Sequence, residues 1–180
     1  MKYIAFLRGI NISGKNKISM ASLKEGFESV GYSDVLTYLN SGNVVFTSSD
    51  DKKKIVDTIS LMIKDEFNLD IPVYIMTSSE LKDVLNNSPT WWGNDNKEIY
   101  DNIIFIMPPV TFEEVYESLG EPSSKLEQIK NYKNTVFWSF DLKNYRKCNW
   151  WIKTASSSIS NKITIRTANT IKGIVKLLDK

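Results

Sequence analysis

The hydrophobic pattern of the chain passes twice through one order of elements: strand, helix, strand, strand, helix, strand. Short apolar runs typical of strands alternate with segments whose apolar residues recur three and four positions apart, as on one face of a helix. A βαββαβ order predicts a four-stranded antiparallel sheet in the order 4-1-3-2, with two helices on one face. We therefore predict an α+β protein of two ferredoxin-like βαββαβ units, a duplicated α/β plait with antiparallel sheets.

The first predicted unit covers residues 1–76. Its first strand is the apolar run from Tyr3 to Arg8, a pattern typical of a strand buried on both faces. Ser19 is placed to cap the helix that follows. A second helix starts after Asp50-Asp51, and the last strand begins at Pro72, where a missing N–H group removes no ladder hydrogen bond.

A hairpin is predicted in the middle of this unit. The segment Asn40-Ser41-Gly42-Asn43 separates two β-prone runs and is a strong hairpin signal. In a two-residue turn, Gly42 would adopt a positive φ, which glycine tolerates better than any residue with a Cβ atom. The turn is therefore expected to depend on Gly42.

The second predicted unit covers residues 102–180 and includes a C-terminal helix. A capping box, Thr111-x-x-Glu114, opens its first helix, and Lys133-Asn134 lies between two hairpin strands. Residues 77–101 form a predicted linker with a short helix and a loop that contains Trp91-Trp92. The repetition is one of element order, because the two halves share no evident similarity at the level of residues.

Composition limits the chemistry available to the protein. The chain has no histidine, which excludes His-based catalytic dyads and triads and any His-ligated metal site. Its one cysteine, Cys148, cannot form an internal disulfide, as expected in a reducing cytoplasm. The net charge is only +2, Lys and Arg are spread along the chain, and no apolar run approaches the roughly 20 residues of a membrane span. We predict a cytoplasmic protein with no membrane partner and no metal; cofactor, catalytic residues and oligomeric state are not indicated.

Polar residues concentrate in the loop from Arg8 to Lys17, which contains two glycines, two asparagines and three cations. The predicted strand order brings this loop beside the 40–43 hairpin, since both lie at the same end of the sheet. Glycine lets backbone N–H groups approach a ligand, and cations offset the charge of an anion. The predicted ligand-binding residues of this rim are Arg8, Asn11, Lys15, Asn16, Lys17, Asn40, Ser41 and Asn43.

Three other interpretations of these segments remain open. Glycine and asparagine also supply the left-handed conformations that tight turns need, with no ligand involved. The segment from Gly9 to Asn16 is one residue short of a phosphate-binding P-loop, although Asn16 replaces the hydroxyl that ligates magnesium there. RNA-recognition modules share the βαββαβ topology and stack bases on strand aromatics, for which Tyr3, Phe6 and Phe46 are the candidates.

Two segments carry a family resemblance. They are Phe6-Leu7-Arg8-Gly9-Ile10-Asn11 with the following Gly14-Lys15-Asn16-Lys17-Ile18, and Thr37-Tyr38-Leu39-Asn40-Ser41-Gly42-Asn43-Val44-Val45-Phe46. The chain closely resembles the bacterial family catalogued as domain of unknown function 1697, over essentially its whole length. The resemblance implies a duplicated ferredoxin-like fold and no established activity, cofactor or catalytic residue. Its two signature segments are the two that the predicted topology brings together.

The function predicted for the rim is binding of a phosphate-bearing ligand, a nucleotide or a nucleic-acid fragment. One alternative is an enzyme of unknown reaction that uses Lys15 or Lys17 for charge stabilisation at the same rim. Another is a protein-interaction module with no small ligand.

Overall fold

The structure, a computed structural model, describes residues 1–179 and contains two four-stranded antiparallel sheets. The elements up to residue 86 are β1 (Lys2–Leu7), α1 (Met20–Ser29), β2 (Ser33–Tyr38), β3 (Asn43–Thr47), α2 (Lys52–Phe67), β4 (Val73–Thr77) and α3 (Ser78–Asn86). Those that follow are β5 (Ile99–Ile106), α4 (Phe112–Leu119), β6 (Glu127–Tyr132), β7 (Thr135–Asp141), α5 (Asn149–Ser156), β8 (Ile163–Thr167) and α6 (Ala168–Leu178). The predicted order of elements is confirmed in both halves.

The first sheet has the order β2-β3-β1-β4, and every neighbouring pair is antiparallel. β1 lies in the centre, and five of its six residues are buried. Alternate residues of the strands pack against α1 and α2, as strand geometry requires of one face of a sheet. That core contains Tyr3, Ala5, Leu7, Leu23, Phe27, Val44, Phe46, Ile55, Ile59 and Ile63. The predicted 4-1-3-2 order, with two helices on one face, is confirmed here.

The helices begin at the polar residues that the sequence indicated. The Ser19 side chain accepts a hydrogen bond from the N–H group of Ser22, and Asp51 accepts one from Lys54, both at 2.9 Å. Each bond satisfies an N–H group that the first turn of a helix leaves without an intrahelical partner. The predicted capping box at the start of α4 is also complete.

The longest helix within residues 1–179 is α2. α2 has 16 residues and buries Ile55, Ile59, Met62 and Ile63 along one side, which is the stripe expected from the spacing of its isoleucines. Within the part of the chain that the structure describes, no helix is both long and apolar enough to cross a membrane.

The second sheet repeats the strand order of the first, as β6-β7-β5-β8. The β6–β7 hairpin turns at Lys133 and Asn134, as predicted, and Lys133 has a φ of 50°. The core on the helix side of this sheet contains Ile104, Ile106, Val115, Leu119, Val136, Trp138, Phe140 and Trp150.

The chain divides into two compact units. The first comprises Met1–Lys82 together with the C-terminal residues from Lys172, and the second comprises Asp83–Ile171. These divisions fall within α3 and α6, whereas the sequence suggested units of 1–76 and 102–180. Within the first unit, the Nζ atom of Lys2 donates a hydrogen bond to the carbonyl of Leu178 at 2.9 Å, which ties the end of α6 to β1.

The hairpin between β2 and β3 is longer than predicted. Tyr38 pairs with Asn43, so four residues form the connection rather than two. The Nδ2 atom of Asn43 donates to the Tyr38 carbonyl and to Ser41 Oγ, both at 2.9 Å, and these bonds close the wider loop. Leu39 and Gly42 have φ values of 54° and 74°, so the positive φ predicted at Gly42 is confirmed.

Gly42 is also closely packed. A Cβ atom at this position would lie 2.7 Å from Leu7 Cβ and 2.8 Å from Ile10 Cδ1, and both of those residues are buried. Gly14 has a similar φ of 77°, but a Cβ atom there would meet nothing within 4 Å. Substitution of each glycine by alanine therefore distinguishes the free-energy cost of a left-handed φ from the cost of overpacking.

We expect Gly14→Ala to lower the free energy of unfolding by about 1 kcal/mol, the cost of a left-handed φ for a residue with a Cβ atom. Gly42→Ala should lower it by at least about 2 kcal/mol, because overpacking adds to the same backbone strain. Urea unfolding followed by circular dichroism measures both values. Equal losses in the two variants would contradict the close packing at Gly42.

Candidate functional site

The 8–17 loop and the 40–43 segment form one continuous rim at the end of the first sheet. The N–H group of Leu7 donates to the Gly42 carbonyl at 2.8 Å, and Asn11 Nδ2 donates to the Asn40 carbonyl at 2.9 Å. On the other side, the N–H group of Arg8 donates to the Pro72 carbonyl at 3.0 Å. The strand order thus brings the two segments together, as predicted.

The backbone of the 8–17 loop is left-handed at five positions. The residues with positive φ are Gly9 (71°), Asn11 (54°), Ser13 (50°), Gly14 (77°) and Asn16 (48°). Glycine and asparagine adopt this region more readily than other residues, which explains why the loop is rich in them. A small internal turn results, in which Lys15 N–H donates to the Ile12 carbonyl at 2.9 Å.

Asn11 holds this loop in place with three side-chain hydrogen bonds. Its Oδ1 atom accepts from the N–H group of Ile18, and its Nδ2 atom donates to the carbonyls of Ile18 and Asn40, each at 2.9 Å. One amide therefore joins the start of the loop, the end of the loop and the neighbouring hairpin. An amide group is required, because no other side chain of this size both donates twice and accepts.

Two further predicted site residues serve the backbone in the same way. Asn16 Nδ2 donates to the Gly9 carbonyl at 2.9 Å, and Asn43, which is buried, bonds within its own hairpin. These hydrogen bonds stabilise the turns of the backbone, and they come from the side chains of Asn11, Asn16 and Asn43. For these three residues, the interpretation as turn-forming residues accounts for what the sequence shows.

The other five predicted residues are Arg8, Lys15, Lys17, Asn40 and Ser41, of which Ser41 accepts a hydrogen bond from Asn43. Lys15 and Lys17 are exposed, and neither ammonium group forms an ion pair or hydrogen bond within residues 1–179. Arg8 is half-buried, and this burial lowers the pKa of its guanidinium, which stays protonated at neutral pH. The rim itself contains no acidic residue; Asp70 is in the adjacent loop that ends at Pro72.

Sequence reasoning missed two apolar side chains on this rim. Ile12 is 59% exposed and Leu39 is 56% exposed, although both are large aliphatic residues. Ile12 belongs to the 8–17 loop, and Leu39 directly precedes the 40–43 segment, so apolar surface lies beside the cations of the rim. The signal in the sequence is an isolated aliphatic residue within a run of turn-forming polar residues.

The near-match to a P-loop is not a P-loop. β1 pairs antiparallel with both of its neighbours, and α1 begins at Met20, five residues after Lys15. A P-loop needs a helix that opens at the lysine, so that its N–H groups cradle the phosphates.

Base stacking on the first sheet is also excluded. Tyr3, Phe6 and Phe46 are 1%, 0% and 0% exposed, so no base can reach their rings. Tyr3 and Phe46 stack on each other instead, with ring centroids 5.8 Å apart.

Cys148 has the properties of a structural residue and not of a nucleophile. Its side chain is 0% exposed, and desolvation raises the pKa of its thiol to about 11. Nucleophilic and metal-binding cysteines react as thiolates, which burial disfavours here. Within residues 1–179, no group of three or more Cys, Asp or Glu side chains is arranged to hold a metal ion.

The two antiparallel sheets share one strand order, so the chain is of the class of α+β proteins that contain the same topology twice. A family model described as Protein of unknown function (DUF1697) matches residues 1–137, and the chain belongs to this family, as its two signature segments indicated. The conserved bacterial protein SP0830 from Streptococcus pneumoniae has a similar solved structure, with a TM-score of 0.86 and 28% sequence identity over 98% of each chain. No curated protein matches the sequence.

We expect Asn11→Ala to lower the free energy of unfolding by about 2–3 kcal/mol, since three hydrogen bonds near 1 kcal/mol each are lost. The backbone amide of Ile18 should also lose its protection from hydrogen exchange. Asn94→Ala is a suitable control, because that side chain makes one exposed hydrogen bond of 3.1 Å to the Thr90 carbonyl. An unchanged Ile18 exchange rate in Asn11→Ala would contradict this role.

At pH 8 we expect iodoacetamide to leave Cys148 unmodified in the folded protein and to alkylate it after unfolding in urea. A thiol whose pKa is about 11 is almost entirely protonated at this pH, and its sulfur is buried. Mass spectrometry of the intact chain measures the modification. Alkylation of the folded protein at the rate of free cysteine would contradict the structural assignment.

Proposed function

We propose that the rim binds a phosphate-bearing ligand, a nucleotide or a nucleic-acid fragment, through Lys15, Lys17 and Arg8. The observation that carries the proposal is that three cations and no acidic residue lie on one loop whose backbone is fixed by internal hydrogen bonds. A fixed loop loses little conformational entropy when a ligand binds, which favours affinity. Arg8 offers a planar fork for a phosphate group, and the two lysines supply exposed positive charge.

A division of roles among the predicted residues supports this proposal. Asn11, Asn16 and Asn43 use their amide N–H groups within the protein, whereas the exposed side chains of Lys15 and Lys17 do not hold the loop in place. Removal of the lysines should therefore affect ligand affinity without affecting the fold. Asn40 and Ser41 are exposed and lie beside the lysine-bearing loop, where they can complete the site.

A protein-interaction module is the second candidate, and one observation favours it. Ile12 and Leu39 are each more than half exposed on the rim. Aliphatic surface beside cations suits a partner that carries both apolar and acidic residues. An enzyme that uses Lys15 or Lys17 remains a third candidate, for which the described residues suggest no carboxylate partner at the rim.

We also propose that each unit is ferredoxin-like and that the protein is cytoplasmic. The βαββαβ order and the shared strand order support the first point. A single cysteine that remains a free, buried thiol supports the second.

The double variant Lys15→Ala/Lys17→Ala tests the phosphate site. We expect tripolyphosphate and ATP to raise the melting temperature of the wild-type protein, because binding to the native state stabilises it. The double variant should melt at the wild-type temperature without ligand, yet bind tripolyphosphate about tenfold more weakly, a difference of ~1.4 kcal/mol. Titration calorimetry at two salt concentrations gives the affinity and its salt dependence, which should become shallower.

Lys53→Ala/Lys64→Ala is the matched control, since both lysines are exposed on α2 and the change in net charge is the same. This control should retain wild-type affinity. If both double variants lose affinity equally, the effect is that of overall charge and the rim is not the site. If tripolyphosphate and ATP bind to neither variant nor the wild type, the phosphate proposal fails and the interaction module becomes the better candidate.

A further inference from the structure

The second unit exposes aromatic and aliphatic side chains along one strip, far in sequence from the rim. Trp151 is 40% exposed, Ile152 53%, Tyr100 38% and Leu142 44%. Trp is highly buried on average in folded proteins, so an exposed Trp beside an exposed Ile is unusual for a surface with no partner. Trp151 and Ile152 belong to α5, Tyr100 lies on β5, and Leu142 follows β7.

The aromatic rings of this strip are in mutual contact. The buried ring of Phe140 lies beneath the strip, with centroids 5.3 Å from Trp151 and 5.4 Å from Tyr100. Tyr145 meets Trp151 edge-on at 5.1 Å. These contacts fix the ring of Trp151 while leaving part of it in solvent, so stacking on it would cost little side-chain entropy.

One segment of this strip, residues 142–157, carries positive charge without acidic residues in its sequence. The segment 142–157 contains four cations, Lys143, Arg146, Lys147 and Lys153, and no Asp or Glu. The guanidinium of Arg146 lies 5.6 Å from the centre of the Tyr145 ring, so one cation stands directly beside the aromatic strip. Of the nearby carboxylates, Glu98 is paired with Lys143 at 2.8 Å, and Asp141 accepts two hydrogen bonds from Asn144.

A cleft of about 500 Å³ continues the strip, because Tyr100 and Leu142 form part of its wall. Asn94, Asn96 and Asn169 also line the cleft and offer amide donors and acceptors. Asp95, Asp101 and Lys97 line it as well, and the excess of negative charge disfavours a phosphate group inside. The volume is within the usual range for small-molecule sites and suits an uncharged planar ring such as a nucleobase.

We propose that this aromatic–basic surface of the second unit, formed by residues 142–157 together with Tyr100 and the adjoining cleft, binds single-stranded nucleic acid. One base stacks on Trp151, a neighbouring base reaches Tyr100 and the cleft, and the phosphates run past Arg146 and Lys147. Aromatic faces combined with cations are the general means by which proteins hold single strands without sequence preference. This inference does not depend on the phosphate site of the first unit.

Base stacking distinguishes single-stranded nucleic acid from other anionic partners. A duplex keeps its bases stacked on one another, so it can reach the cations but not the ring of Trp151. An anionic membrane would also meet cations beside apolar side chains. The amide-lined cleft beside Tyr100 has no use at a lipid surface, whereas it offers hydrogen bonds to the edge of a base.

Fluorescence anisotropy of fluorescein-labelled dT12 tests the proposal on the full-length protein. We expect saturable binding by the wild type and a loss of affinity of about fivefold or more in Trp151→Ala, since one stacked base is lost. Trp151→Phe should retain affinity to within about twofold, because a ring remains. Arg146→Ala/Lys147→Ala should bind more weakly and reduce the slope of log Kd against log salt concentration.

Leu61→Ala is the control for the loss of an exposed apolar side chain, as Leu61 is 60% exposed on α2. It should bind dT12 as the wild type does. Trp151→Ala should bind tripolyphosphate as the wild type does, which separates this surface from the rim. The melting temperature of Trp151→Ala should lie well above the assay temperature, so a lost affinity in that variant cannot be ascribed to unfolding.

Four results would overturn the proposal. They are no binding of dT12 by the wild type, equal binding of a dT12·dA12 duplex, equal affinity of wild type and Trp151→Ala, and dT12 binding lost only in the rim double variant. Vesicles of phosphatidylserine that bind the wild-type protein where dT12 does not would assign the surface to a membrane instead.

Discussion

The first unit depends on the close approach of two polar segments, the 8–17 loop after β1 and the 40–43 segment at the start of β3. The Gly42 carbonyl accepts the N–H group of Leu7, and only the absence of a side chain at Gly42 lets Leu7 and Ile10 lie so near. Asn11 then joins the same two segments on the solvent side. These contacts help to fix the pairing of the two central strands, in which a slip by one residue would move every buried side chain of β3 to the opposite face.

The same constraint explains why polar residues at the rim differ in role although they look alike in the sequence. An asparagine can turn the chain or bind a ligand, and which it does depends on whether its amide is already satisfied. Asn11, Asn16 and Asn43 are satisfied by backbone carbonyls, so the fold alone requires them. Lys15 and Lys17 have no such role, and for that reason the proposed function rests on the cations.

Most of the fold could be predicted because local patterns and tertiary packing agree. The spacing of Ile55, Ile59 and Ile63 sets the buried side of α2, and Ser19 and Asp51 set where helices begin. The length of the β2–β3 connection could not be predicted, since the side chain of Asn43 and the packing at Gly42 decide it. The division within α6 depends likewise on contacts between residues far apart in sequence. The exposure of Trp151 could not be predicted, because a pair of Trp residues in a sequence is more often buried than exposed.

Acidic residues are unevenly distributed along this nearly neutral chain. The segments 8–18 and 142–157 together hold seven cations and no acidic residue, and outside them 16 basic residues face 21 acidic ones. A cationic segment on an otherwise acidic protein attracts anions locally, although the net charge of +2 gives no sign of it. The two segments also differ in chemistry. The 8–18 segment has no aromatic residue, so it can hold phosphate but cannot stack a base, whereas the 142–157 segment adds Tyr145 and Trp151 to its cations. Under the two proposals, one topology used twice carries two surfaces, one for phosphate groups and one for bases.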